Sequence, residues 1–104
     1  MNAAAAEALF EAERKGVRQV VGRNSDGEGG RCAVGVLYET WAWQQGFIPL
    51  LHENGNFVTS YKTGCRFSLD YGLTEPEGRE IVRLNNEERR TFAEIARKLG
   101  PDSV

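Results

Sequence analysis

Residues 32–61 read CAVGVLYETWAWQQGFIPLLHENGNFVTSY and place a helical pattern directly before a hairpin pattern. In the first half, apolar side chains recur with the three- and four-residue spacing of a helix from about Cys32 to Gln45. In the second half, two short apolar runs flank Asn54-Gly55, a pair that supplies the positive φ values of a type I′ turn. The stretch therefore predicts a helix followed by a β-hairpin around Asn54-Gly55.

Helical patterns also lie towards both ends of the chain. Residues 3–15 are rich in Ala, Glu and Leu, which are good helix formers, and Gly16 is a natural stop. Nearer the C-terminus, Asn85 can cap a helix and Glu88 can complete its capping box, before a helix that ends at Gly100. The predicted apolar stripe of this C-terminal helix comprises Phe92, Ile95, Ala96 and Leu99.

The connecting segments predict strands and loops. Residues 17–21 are short and β-branched, which favours a strand, and residues 64–69 can add another. Residues 22–31 hold four glycines, and residues 70–79 hold two glycines and Pro76, so both are predicted loops. Together these elements predict an α+β fold of three helices on a small, mostly antiparallel sheet, with the second and third helices on one of its faces.

Composition indicates one ordinary globular domain spanning residues 1–104. Hydrophobic residues make up 40% of the chain and charged residues 27%, and the net charge is −2. This charge offers nothing to attract a phosphate backbone, so we expect no nucleic-acid partner. No apolar run approaches the ~20 residues of a membrane span, and residues 1–7 do not resemble a signal peptide. We therefore expect a cytoplasmic protein without a membrane association.

Cys32 is a candidate nucleophile. It lies at the start of the predicted central helix beside Arg31, and both a helix N-terminus and a cation lower a thiol pKa. Such a nucleophile also needs a base, and His52 is the only histidine of the chain. One hypothesis is a cysteine-dependent hydrolase or transferase that uses Cys32 and His52. The alternative, which we favour, is a buried structural cysteine and a solvent-facing turn histidine.

Metal and phosphate sites find little support in the sequence. Structural zinc sites use close chelating pairs, whereas Cys32, His52 and Cys65 lie far apart along the chain. The glycine-rich loop 22–31 precedes a predicted helix, yet it lacks a Gly-Lys-Ser/Thr step and a GxGxxG motif. The sequence therefore indicates no metal and no cofactor. It leaves open a disulfide between Cys32 and Cys65.

Residues 91–100, TFAEIARKLG, are similar to the first helix and turn of a helix-turn-helix motif. That motif needs a second helix to enter the major groove, and too few residues follow Gly100 to form one. We therefore expect an amphipathic core helix here. Nucleic-acid binding by another surface would require a cluster on one face of Arg14, Lys15, Arg18, Arg23 and Arg31.

The predicted central helix is apolar on two sides. One stripe comprises Val34, Leu37, Tyr38 and Trp41. Val36 and Trp43 lie on the other side, so this helix is either buried centrally or presents a second face to a partner. Exposed tryptophan is enriched at protein interfaces. Val36 and Trp43 are therefore the predicted partner-binding residues, for a protein partner or for self-association.

The order of these motifs resembles a widespread group of small uncharacterised proteins from phages and other mobile elements. In that group, an N-terminal helix and a short strand precede a CCLGVLCE-like motif, and an LND…SFAEIAD-like helix follows. The corresponding stretches here are residues 8–19, RCAVGVLYE at 31–39, LNN at 84–86 and TFAEIA at 91–96. Ala33 and Tyr38 stand where the group often has further cysteines. The resemblance implies a mobile-element accessory protein, and we expect a non-enzymatic protein-binding module.

Overall fold

The computed structural model describes residues 1–23, 25–46, 48–49 and 72–101. Within these residues the chain contains two isolated β-bridges, which join Arg31 to Gln19 and to Ser25, and no strand. The described residues therefore have an all-α architecture. Its four helices are α1 (Ala3–Arg14), α2 (Ala33–Gln44), α3 (Glu75–Asn86) and α4 (Phe92–Leu99).

The predicted α+β fold is wrong for these residues. Residues 17–21, the predicted first strand, form an extended connector instead. The amide of Val20 donates to the carbonyl of Arg31 at 3.0 Å, and the amide of Arg31 donates to the carbonyl of Arg18 at 2.9 Å. The bridges stay isolated because the neighbouring residues do not continue a ladder. The helices consequently pack on one another and not on a sheet.

The predictions for the first two helices are confirmed, and those for the segment after them remain open. The side chain of Asn2 caps α1 by accepting from the amide of Ala5 at 2.8 Å. Cys32 is the N-cap of α2, one residue before the helix begins. The predicted hairpin around Asn54-Gly55 and the predicted strand at 64–69 lie outside the described residues.

α3 includes residues that were predicted to form a loop. The hydroxyl of Thr74 accepts from the amide of Glu77, and the carboxylate of Glu77 accepts from the amide of Thr74, which completes a capping box. Pro76 lies in the first turn, where a helix has no use for its missing amide. Gly78 is buried within the helix. The proline and glycine that suggested a loop are therefore compatible with the start of a helix.

α4 begins later than the sequence predicted. Thr91 is its N-cap, and Glu94 completes a capping box with it. Asn85, the predicted cap, lies inside α3 instead and is buried. The prediction of the apolar stripe is confirmed, because the core includes Phe92, Ile95 and Ala96, with Leu99 packed against it.

The helices pack in a closed order around one core. α1 contacts α2 and α4, and α3 contacts the same two helices. Every helix contributes side chains to the core. Burial of each large apolar side chain stabilises the fold by roughly 1.5–3 kcal/mol. The most deeply buried of these side chains are Leu9, Leu37, Ile81, Leu84, Phe92 and Ile95.

Candidate functional site

A groove lies between α1 and α2 on the protein surface, with a volume of about 530 Å³. Its α1 side is lined by Ala4, Ala8 and Ala12, three residues spaced one turn apart. Alanine side chains end at Cβ, so this face of α1 leaves room beside α2. The lining residues from α2 include Val36, Thr40 and Trp43. The groove is therefore largely apolar along its length.

α1 and α2 run antiparallel along this groove. The end of α1 lies beside the start of α2, because Arg18 and Arg31 are joined by a backbone hydrogen bond of 2.9 Å. Ala4, at the other end of α1, lines a smaller cavity of about 70 Å³ together with Gln44. Trp43 thus lies towards the start of α1, and Val36 towards its end.

Trp43 and Val36, the two predicted partner-binding residues, both line this groove. Trp43 is 59% exposed, whereas Val36 is 6% exposed. They are seven positions apart in the sequence, so they lie about two turns, or about 10.5 Å, apart along α2. Val36 belongs to the core together with Leu37 and Tyr38, so the exposed apolar surface that α2 adds to the groove comes mainly from Trp43. An exposed indole beside an apolar hollow is thus the geometry of this site.

Charged side chains of both signs border the groove. From α1 come Glu7, Glu11 and Lys15, and from the α2 side come Arg31 and Glu39. The guanidinium of Arg31 makes two hydrogen bonds to the carboxylate of Glu39, at 3.1 and 3.3 Å. Lys15 lies 3.8 Å from Glu11. These pairs leave the border close to electrical neutrality.

Arg14 pairs with two acidic residues of α1, Glu7 and Glu11. Its Nη2 donates to Glu7 Oε1 at 2.6 Å and also to Glu11. The hydrogen bond from Arg14 lowers the pKa of Glu11, with a smaller contribution from its positive charge. The carboxylate of Glu11 is therefore stabilised in its ionised form.

Cys32 is a buried free thiol with a capping role. Its Sγ accepts a hydrogen bond from the amide of Gly35 at 3.3 Å, which satisfies one of the unpaired amides at the start of α2. Burial raises the pKa of the Cys32 thiol, and this effect outweighs the lowering by the surrounding amides. The thiol is therefore protonated at neutral pH. His52 and Cys65, its proposed partners, lie outside the described residues.

Asn85 organises the start of α2, a role that the sequence analysis missed. Its Oδ1 accepts from the amide of Ala33 and from Gln19 Nε2, and its Nδ2 donates to the carbonyl of Val20 and to Asn86 Oδ1. All four hydrogen-bonding positions of the amide are used. Asn85 is 1% exposed, so this polar network is part of the interior.

Side chains of the glycine-rich loop accept hydrogen bonds from backbone amides of the same loop. Asp26 Oδ1 accepts from the amides of Glu28 and Gly30, at 2.8 and 2.9 Å. The hydroxyl of Ser25 accepts from the amide of Gly27 at 3.1 Å. These amides are the groups that a phosphate would need, and the loop itself already uses them.

The basic residues considered for nucleic-acid binding are mostly held in ion pairs. Arg14 and Lys15 pair with carboxylates of α1. Arg18 pairs with Asp26, and Arg31 pairs with Glu39. Such pairing reduces the positive potential that a phosphate backbone would meet.

The described residues contain no group of three or more His, Cys, Asp or Glu side chains that could hold a metal ion. None of their helices has the length and apolar character needed to cross a membrane.

Over its described residues, the chain is a small all-helical domain with a groove bordered by tryptophan. No protein-family model, curated protein or solved structure matches it.

Proposed function

We propose that this protein is a non-enzymatic protein-binding module whose binding site is the groove between α1 and α2, with Trp43 as the anchor. The observation that carries the proposal is the 59% exposure of Trp43 beside this groove. The resemblance to mobile-element proteins extends the proposal to an accessory role in a phage or mobile element. A cytoplasmic location belongs to the same proposal.

The energetics of interfaces support Trp43 as an anchor. A tryptophan side chain buries 150–250 Å² when it is fully covered, and a few such residues carry most of the affinity of a typical interface. The indole is held at one end of an apolar groove, and Val36 extends the apolar lining by two turns. Because Val36 is already buried in the free protein, the apolar surface that a partner removes from water is mainly the indole of Trp43.

The alternative, a cysteine-dependent hydrolase or transferase, gains no support from the position of Cys32. A nucleophilic thiol has to be exposed and ionised. The Cys32 thiol is buried, and its pKa is raised. Its sulfur is also engaged at the N-terminus of α2. These observations favour a structural role for Cys32.

A displayed library of helical peptides provides the test. Peptides selected on the wild-type protein should present aromatic or aliphatic side chains on one face. Trp43→Ala should weaken their binding at least tenfold, since truncation of an anchor residue commonly has an effect of this size. Fluorescence anisotropy of labelled peptides measures the affinities.

Val82→Ser is the matched control, because Val82 is an exposed apolar residue of α3 that does not line the groove. This variant should bind the peptides with the wild-type affinity. Equal affinities for the wild type and for Trp43→Ala would exclude the groove as the binding site.

A further inference from the structure

We infer that the groove between α1 and α2 binds the same groove of a second copy of this chain, in a two-fold symmetric dimer. This inference rests on the proposed function and specifies its partner. In a two-fold interface, each contact between residues i and j is repeated between j and i. The surface must therefore be complementary to a copy of itself that is rotated by half a turn about the two-fold axis.

The charges along α1 meet this requirement. Glu7 borders the groove towards one end of the helix, and Lys15 borders it at the other end. When a second α1 lies antiparallel across a two-fold axis, Glu7 of each copy faces Lys15 of the other. Both pairs are attractive, and the symmetry doubles the effect. The same axis brings Glu11, midway between them, next to Glu11 of the other copy, and the ion pair of each Glu11 with Arg14 of its own helix offsets this repulsion.

The intrachain pairs of α1 do not prevent this exchange of partners. The side chains of Glu7, Arg14 and Lys15 are 65%, 56% and 69% exposed. Exposed pairs of this kind contribute little to stability, so Glu7 and Lys15 can reorient towards a second copy at small cost, while Arg14 stays with Glu11. The dimer then places these charges at the border of a dry interface.

The apolar residues are complementary under the same symmetry. Trp43 projects at one end of the groove, whereas Val36, Ala12 and Val17 line the other end. The two-fold operation brings Trp43 of one copy over the Val36 end of its neighbour. Each copy thus supplies one exposed indole, and the Val36 end of its groove receives the indole of the other copy.

The mixed border of the groove also argues for this occupant over a highly charged one. A polybasic peptide would meet Lys15 and Arg31, and a nucleic acid would meet Glu7, Glu11 and Glu39. Like charges placed together at an interface oppose binding. The groove of a second copy carries charges of both signs, so it can place opposite charges against those of the first copy.

Sedimentation velocity over a range of protein concentrations tests the dimer. The wild-type protein should shift from monomer to dimer as its concentration rises into the micromolar range or above. Trp43→Ala should raise the dissociation constant at least tenfold, while Val82→Ser should leave it unchanged. A wild-type protein that stays monomeric up to 1 mM, a ceiling set at about the weakest affinity of interest, overturns the inference.

Charge-swap complementation tests the symmetry of the interface. Glu7→Lys gives a copy with two basic residues at these positions, and Lys15→Glu gives a copy with two acidic residues. Each variant alone should dimerise about fivefold more weakly, because like charges then meet twice. An equimolar mixture should recover the wild-type affinity as a heterodimer. Circular dichroism checks that both variants keep the wild-type helicity.

The outcomes separate this inference from the proposed function. A mixture that stays as weakly associated as its components overturns the two-fold arrangement. If the wild type is monomeric but its peptide binding depends on Trp43, self-association is wrong and the binding function stands. If dimerisation and peptide binding both survive Trp43→Ala, the groove is wrong in both roles.

Discussion

Asn85 Oδ1, near the end of α3, accepts a hydrogen bond of 3.0 Å from the amide of Ala33, the first residue of α2. A side chain of one helix thus satisfies a free amide at the N-terminus of another. This amide has no partner within its own helix, so the bond replaces one that water would otherwise make. The relationship couples the position of α2 to the folding of α3.

Replacing Asn85 should strongly destabilise the protein. Asn85→Leu has a similar shape but leaves the amide of Ala33 and the carbonyl of Val20 without this partner in the interior. We expect the free energy of unfolding to fall by about 2–4 kcal/mol, since each buried unsatisfied group costs about 1–3 kcal/mol. Urea denaturation measures the change.

Asn86→Ala is the control for this prediction. Asn86 Oδ1 accepts from the amide of Gly22 at 3.0 Å, but this residue is only half-buried. Asn86→Ala also removes the hydrogen bond that Asn86 Oδ1 accepts from Asn85 Nδ2, and it should cost about 1–2 kcal/mol, because water can replace the lost acceptor at this half-buried position. If both variants lose the same free energy of unfolding, the burial of Asn85 does not increase the cost of removing its hydrogen bonds.

Arg89 carries backbone strain that a substitution can relieve. It lies in the turn between α3 and α4 with φ of 55°, in the left-handed region. Only glycine adopts this conformation without a steric cost. Arg89→Gly should therefore raise the free energy of unfolding by about 0.5–1 kcal/mol, even though glycine is more flexible when unfolded. Thermal denaturation should show a higher melting temperature.

Arg89→Ala separates backbone strain from the loss of the side chain. Alanine keeps its Cβ, so the strain remains while the guanidinium is removed. This variant should be no more stable than the wild type. A gain of equal size in both variants would point to the side chain of Arg89 and not to its φ angle.

The glycine-rich loop should lose stability in acid. The amide of Glu28 is the main cause of the low pKa of Asp26, about 2 against an ordinary value of 3.8, and the amide of Gly30 and Arg18 add to it. A depressed carboxyl pKa stabilises the fold above the unfolded value, and this contribution is lost as the pH falls from about 4 through about 2. The free energy of unfolding of the wild type should therefore fall towards that of Asp26→Asn as the pH decreases across that window.

Urea midpoints of the two proteins, measured at several pH values between 2 and 6, test this pH dependence. Their difference isolates Asp26, because the other carboxylates are common to both proteins. NMR titration of the Asp26 carboxyl carbon gives its pKa directly. A midpoint near 4 would contradict the hydrogen-bonded loop.

Cys32 should resist alkylation in the folded protein. Iodoacetamide reacts with the thiolate, and burial both raises the pKa of the Cys32 thiol and blocks access to it. We expect its reaction below pH 8 to be at least about tenfold slower than that of a free cysteine. Trypsin cuts after Arg31 and Lys62, so Cys32 and Cys65 appear in different peptides and mass spectrometry follows each one. Rapid labelling of Cys32 below pH 8 would revive the nucleophile hypothesis.

The local patterns of the sequence predict the helices better than they predict what those helices contact. α1, α2 and the apolar stripe of α4 follow from periodicity, because their apolar residues recur at helical spacing. α3 was missed because Pro76 and Gly78 usually interrupt structure, although a proline in the first turn is compatible with a helix. Residues 17–21 have strand-like composition, but a strand also needs a partner over several residues.

Only the α2 side of the candidate site was predictable from the sequence. The spacing of Val36 and Trp43 on α2 indicates that they share a face, and the structure places both along the groove. The alanines of α1 gave no such signal, since alanine favours any helix and its role here depends on a neighbour. Asn85 was predicted as a local cap because no local pattern identifies a partner that lies more than fifty residues away.

The saturated hydrogen bonds of Asn85 have a consequence for local opening. Gln19 Nε2 donates both to Asn85 Oδ1 and to the carbonyl of Arg90, so the connector before α2 is tied to both ends of the α3–α4 turn. None of these segments can separate from the interior without breaking bonds to the others. We expect the amides of Ala33 and Gly22 to exchange with solvent deuterium in one concerted event, as a single cooperative unit.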